Sequence, residues 1–249
     1  MKIDWTPLTT ELALWRASGL ALPLWWRDDD AIAATPDLEV LTALAEDLHL
    51  PVHLAVIPKL AQPSLPQFVA GHDAVIPVVH GWQHHNHAPA GAKKAEFGHP
   101  RPDALTDARQ ALARMQALFG ARLLPIFVPP WNRLDPGLLP GLAQAGYCGV
   151  STYLPRTSRL AVPGMVRINT HIDPIFWRGG RGLVPPEEQI AGIVSLLQDR
   201  RMGLSDTTEP LGFLTHHLVH THEIWEFTRA CLGRMLDGGA APADLRTLP

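Results

Sequence analysis

The chain has 249 residues, 46% of them hydrophobic, a formal net charge of −3 and two cysteines. That length suits one large core, and the near-balanced charge leaves no electrostatic footprint for nucleic acid or an anionic membrane. Cys148 and Cys231 have no CxxC spacing, which argues for buried thiols rather than a disulfide scaffold.

The Met1-Lys2-Ile3-Asp4-Trp5 opening shows no basic segment followed by an apolar core, and no apolar run is long enough to span a bilayer. The expectation is a cytoplasmic protein without membrane partners. Leu22 to Arg27 reads as a strand, closed by Asp28-Asp29-Asp30. Thr35 and Pro36 open a helix to Leu48, with Thr35 as N-cap. Val52 to Ile57 is a strand, Ser64 to Ala70 a short helix, and Val75 to Val79 a strand closed by His80. The clearest helix is Asp103 to Phe119, with Leu105, Ala108, Leu112, Met115 and Phe119 on one face and Gly120 as its stop.

Pro125 to Val128 is the next strand, and Asp135-Pro136 starts a helix ending near Gly146. Cys148 to Thr152 and Val166 to Asn169 read as strands. A helix runs from Pro185 or Pro186 through Leu197. Leu211 to Leu214 is the last strand, before a helix opened by Thr221 or His222. About seven βα units follow one another with no repeat and no linker. They predict one α/β domain over residues 1–249, a closed or nearly closed (β/α) barrel, with a doubly wound sheet as the alternative.

In such barrels chemistry sits at the carboxyl ends of strands. Asp28–Asp30, His80, Trp131, His171-Ile172-Asp173 and His216 all fall there. Thirteen histidines are unusual, with five between His80 and His99 and four between His216 and His222. Aspartate oxygen and histidine nitrogen suit zinc and its first-row neighbours. His80 and His84, four apart, can face one ion if the chain turns helically after the strand. Adjacent carboxylates repel, and a cation or Arg27 relieves that. One aspartate of the run then binds metal while its neighbour takes a proton from water. Pro129 and Pro130 stiffen the loop at Trp131, whose backbone N–H is a candidate oxyanion donor. His216 is a candidate proton donor to a leaving amine. Trp82, Trp131 and Trp177 are candidates for stacking on a sugar.

Taken together, these motifs resemble the polysaccharide deacetylases, the NodB-homology or family 4 carbohydrate esterases. Arg27-Asp28-Asp29-Asp30-Ala31 resembles the family's Thr-Phe-Asp-Asp-Gly, and His80-Gly81-Trp82-Gln83-His84 its His-Ser/Thr-x-x-His. Pro129-Pro130-Trp131 resembles its Arg-x-Pro-aromatic loop, and Leu214-Thr215-His216 its Leu-x-His. The resemblance implies a distorted barrel of NodB-homology type. It also implies one divalent ion on Asp30, His80 and His84, most simply zinc, with cobalt, nickel or manganese as alternatives. Asp29 becomes the general base, Trp131 the oxyanion donor and His216 the general acid. Asp28 as base with Asp29 as ligand is the other register. Pro130, Asn132, Arg133, Trp82 and His171 are the substrate-contact candidates. Three departures stand out. Val128 occupies the place of an arginine that holds the base, with Arg27 and Arg133 the candidates to substitute. Gly81 replaces the hydroxyl residue, and His217 replaces an aspartate.

The implied function is metal-dependent removal of an acetyl group from an N-acetylated sugar or related amide. The alternatives are hydrolysis of another non-peptide C–N bond on the same barrel, and a non-catalytic carbohydrate-binding barrel. The partner expected is a small carbohydrate or amide.

Overall fold

The computed structural model describes residues 3–243 and 245–247. In chain order the elements are α1 (Thr6–Ala17), β1 (Leu22–Ala31), α2 (Pro36–Asp47), β2 (Val52–Val56), α3 (Ser64–Ala70), β3 (Val75–His80), α4 (Ala104–Phe119) and β4 (Ile126–Val128). There follow α5 (Leu139–Ala145), β5 (Gly149–Val150), β6 (Leu160–Val162), β7 (Met165–Arg167), α6 (Pro186–Arg201), β8 (Leu211–Thr215), α7 (His222–Asp237) and β9 (Ala240–Pro242). The strands form one curled sheet in the order β6-β7-β5-β4-β3-β2-β1-β8, with β9 beside the start of β1. Every pairing is parallel except β6 with β7. The segment after β7 reaches across to β8, where Leu214 N–H donates to Ile172 O at 2.7 Å. The result is a distorted barrel flanked by helices, as the alternation of units predicts.

Strand alternation divides the residues between two apolar layers. Leu24 and Trp26 of β1 face the helices and join the larger core with Leu38, Leu41, Phe127 and Leu197. Trp25 faces inward, into a smaller cluster with Ala55, Ile76, Val78, Ile126, Val128 and Ile168. β2 and β3 are buried along their whole length, which explains their near-continuous apolar sequence. The site lies above the inner cluster, at the carboxyl ends of β1, β3 and β8.

Local chemistry fixes the helix ends. Thr35 Oγ1 accepts from Leu38 N–H at 3.1 Å, and Pro36 occupies the first turn of α2. Gly120, at φ 54°, ends α4. The segment from Asp135-Pro136 begins as a 3-10 turn, Pro136–Leu138, before α5. The expected strand over Cys148 to Thr152 shortens to Gly149–Val150. Sequence periodicity assigns no element to Thr6–Ala17, yet α1 packs Leu8, Leu12 and Trp15 into the core. Trp15 Nε1 donates to Leu197 O of α6 at 3.1 Å. Among the described residues no helix is long and apolar enough to cross a membrane.

Candidate metal centre and its surroundings

The acidic run at the end of β1 sends its three carboxylates to three different places. Asp28 shares the helix-facing side with Trp26. Its carboxylate accepts from Thr215 Oγ1 at 2.6 Å, from His217 N–H at 3.0 Å and from His217 Nδ1 at 2.5 Å. Neither the Asp28 nor the His217 side chain has solvent exposure. Burial alone would raise the Asp28 carboxyl, but His217 and Thr215 outweigh it and bring it below the ordinary range. Burial likewise pulls the His217 proton affinity down, and Asp28 more than restores it, leaving it raised.

Asp29 points to the inner side with Arg27, two residues earlier on the same strand face. The guanidinium grips it bidentately, Nε to Oδ1 at 2.8 Å and Nη2 to Oδ2 at 3.0 Å. Arg27 also donates to Ser151 Oγ at 2.6 Å, Asn132 Oδ1 at 2.7 Å and Thr152 O at 3.3 Å. Arg27 is thus the arginine that holds Asp29. Arg133 instead donates to Lys94 O at 2.7 Å.

Asp30 would point back toward the helices in a regular strand. It does not, because the pairing of β1 with β2 slips between Asp28 and Ala31, and Asp30 adopts φ 77°. This bulge carries its carboxylate to the histidines of the β3 end. Asp30 Oδ1 lies 3.0 Å from His80 Nε2 and 3.3 Å from His84 Nε2. One ligand atom from each of the three residues falls within 4.8 Å of the others. His84 reaches the cluster through a turn with Gly81 at φ 53° and His84 at φ 57°, and its ring centroid lies 4.2 Å from that of Trp131.

The donor set fits a divalent cation. His80 Nδ1 lies 3.1 Å from Val128 O, a contact that places a proton on Nδ1 and leaves the Nε2 lone pair toward Asp30. A lone pair facing a carboxylate oxygen demands a cation between them, either a proton or a metal ion. The electrostatics show the same demand. Burial would suppress the charge of His80, yet Asp29 and Asp30 leave its proton affinity raised. Burial would raise Asp30, yet His80, His216 and His84 leave it well below the usual carboxylate range. Burial and the neighbouring His80 hold His84 lowered, as an imidazole ready to coordinate.

On the opposite wall, His216 follows β8. Its ring meets Trp177 edge-to-face at 4.8 Å, and Trp177 Nε1 donates to Asp173 Oδ2 at 2.8 Å. Burial holds Asp173 above the ordinary carboxylate range, against the opposing charge of His216. His216 Nδ1 is buried without a hydrogen-bond partner among the described residues. Trp131 and Asn132, after Pro129-Pro130, both adopt left-handed backbone, at φ 57° and 56°. Such conformations are unfavourable for bulky residues and cluster at functional loops.

The structure thus brings Asp29, Asp30, His80, His84, Trp131 and His216 to one end of the barrel. The substrate-contact candidates separate. Pro130 is buried and packs close to Gly81. Asn132 holds Arg27, and Trp82 is half-buried at the core edge with Lys59 over its ring. His171 corrects the sequence expectation. Its side chain is fully buried, with Nε2 3.2 Å from Glu209 Oε2 and Nδ1 accepting from Gly212 N–H at 2.9 Å, so no atom is left for substrate. Glu96, under the His84 turn, is a residue that the motifs do not assign to the site, whereas Asp173 and Trp177, both among the sequence candidates, meet beside His216.

The curled barrel is a fold shared with solved structures of family 4 carbohydrate esterases. A family 4 carbohydrate esterase from Streptomyces lividans, in complex with acetate, superposes with TM-score 0.51 and 14% identity over 90% of this chain and 92% of that one. The Bc1960 peptidoglycan N-acetylglucosamine deacetylase gives TM-score 0.54 and 12% identity over 96% of each chain. A family 4 acetyl xylan esterase from Clostridium thermocellum, in complex with a cobalt ion, gives TM-score 0.51 and 11% identity over 90% and 88%. No protein-family model matches the chain, and no curated protein matches it in sequence.

Proposed function

We propose that the chain is a single metal-dependent hydrolase domain that removes an acetyl group from an N-acetylated sugar or related amide. The observation that carries this reading is the convergence of Asp30, His80 and His84 beside a separate carboxylate, Asp29, held by Arg27. A cofactor site alone needs the first three. The fourth, aligned and hydrogen-bonded but outside the ligand set, is what a hydrolytic base requires. Two structural neighbours that act on acetylated sugars support this reading, a peptidoglycan N-acetylglucosamine deacetylase, which acts on an amide, and an acetyl xylan esterase, which acts on an ester.

Asp30, His80 and His84 would hold the ion, with zinc the first choice for this donor set and cobalt, nickel or manganese also suited. When bound, a divalent ion supplies Lewis-acid polarisation of a carbonyl and lowers the proton affinity of water. Asp29, fixed by the Arg27 fork, accepts the proton of the attacking water. Trp131 N–H donates to the oxygen on which charge develops, and its left-handed backbone fixes that donor's direction. His216 delivers a proton to the departing amine. Trp177, 42% exposed, gives the mouth of the site an aromatic surface beside His216.

Arg27 also counters the reading of a non-catalytic barrel, because that reading rests on the loss of arginine at Val128. The test is acetate release from N-acetylated oligosaccharides by metal-loaded protein. Steady release of acetate supports the proposal. Release of ammonia or a different acid from other amides, with no acetate, would assign the barrel to another C–N bond.

A further inference from the structure

The turn that presents His84 is built around a buried carboxylate. Glu96 is 1% exposed. Three consecutive backbone N–H groups donate to it: Gln83 to Oε1 at 2.9 Å, and Trp82 and His84 to Oε2, each at 3.2 Å. Successive N–H groups converging on one anion form a concavity that positive-φ residues shape, here Gly81 and His84. Gly81 is required by this contact, since a Cβ there would lie 2.3 Å from Glu96 Oε2 and 2.5 Å from Pro130 Cδ. The residue type at position 81 and the carboxylate at 96 are therefore two halves of one device.

The segment carrying Glu96 is itself fixed on both sides. His87 N–H donates to Ala95 O at 2.8 Å, and Ala95 N–H donates to Asn86 Oδ1 at 2.9 Å. Phe97 pairs with Leu134, and Asp135 N–H donates to Phe97 O at 2.7 Å. One short segment thus joins the His84 turn to the loop that follows Trp131.

We propose that Glu96 is a positioning residue for the Asp30–His80–His84 centre. By fixing the backbone of residues 82–84 it sets where His84 Nε2 stands relative to Asp30. In most proteins a metal-ligating histidine is oriented through its other ring nitrogen; here the orientation of His84 comes through its main chain. The inference rests on the metal reading above, so its test separates the two.

Zinc is titrated calorimetrically into metal-free wild type, Glu96→Gln and Gly81→Ala, alongside cobalt absorption spectra and metal-free melting temperatures. A glutamine cannot accept from all three N–H groups, because its amide nitrogen opposes at least one. Loss of an orienting partner typically weakens a metal site about 10- to 100-fold. Glu96→Gln should fall in that range with an altered cobalt spectrum. Gly81→Ala should move in the same direction while keeping Glu96, and it carries the test should the glutamine variant not fold. A wild type that binds no zinc overturns the metal reading itself. A wild type that binds zinc, with variants of equal affinity and unchanged cobalt spectrum, overturns the role of Glu96 alone. Lower melting temperatures at unchanged affinity mean the same.

Discussion

Replacing Arg27 by methionine tests the grip on Asp29, the carboxylate proposed as the general base. The Arg27 side chain has no solvent exposure, and all five of its guanidinium N–H donors are engaged. Two of those bonds hold Asp29, whose side chain is only 4% exposed. Methionine fills similar volume but leaves a buried carboxylate unpaired, which costs about 3–5 kcal/mol. For a chain of this size that corresponds to a drop of about 6–20 °C in melting temperature, within the stability of an ordinary domain. The kinetic signature is separate. Without the fork the Asp29 carboxylate loses its fixed orientation, so kcat on an acetylated substrate should fall while metal content stays unchanged. Arg27→Lys keeps a charge but cannot form the fork, and it should fall between the two. Thermal unfolding and acetate release measure both effects. Arg27→Met with an unchanged melting temperature and an unchanged kcat would refute the reasoning.

The acidic run separates by role: Asp29→Asn should keep the metal and lose turnover, Asp30→Asn should weaken metal binding as well, and Asp28→Asn should lower stability by breaking its buried pair with His217. A ligand effect at Asp29 with a catalytic effect at Asp28 would establish the other register. His216→Ala should lower the rate on an acetamide about a hundred- to ten-thousand-fold with metal content intact, and less on an ester with a good leaving group. His217→Ala should instead unfold more easily, and a fully active but less stable His216→Ala beside an inactive, stable His217→Ala would reverse the assignment. His220 supplies a pH dependence, since burial holds it lowered to about 4 from 6.5. The folded state therefore binds fewer protons than the unfolded state between those values, and stability should fall as pH drops from about 6.5 to about 4. His220→Gln should flatten that part of the melting-temperature profile, and an unchanged slope would show that another group is responsible.

Much of the architecture was legible because apolar runs alternate with capped helices: Thr35-Pro36 and Gly120 mark ends that the structure keeps. The placement of Asp29 with Arg27 follows from strand alternation alone. Asp30 was legible only through the family resemblance, because strand alternation would send it with Asp28, and the bulge that redirects it has no local sequence signal. Glu96 escaped because it acts through main-chain bonds to residues 12 to 14 positions away, inside a loop with no periodicity. His171 misled for the converse reason. It has the residue type of a site and lies at the barrel seam, but Glu209 and Arg200 draw its ring into a buried network. α1 was invisible because its burial depends on α6, nearly two hundred residues later.

The central claim is that Asp30, His80 and His84 hold one divalent ion. Metal content of the purified protein, and of His80→Ala and His84→Ala, tests it most directly. The account predicts about one ion per chain in the wild type, the ordinary content of a catalytic site with three protein ligands, and loss of it in each variant with the fold retained. Full occupancy in both variants, or none in a wild type dialysed against zinc, would contradict it.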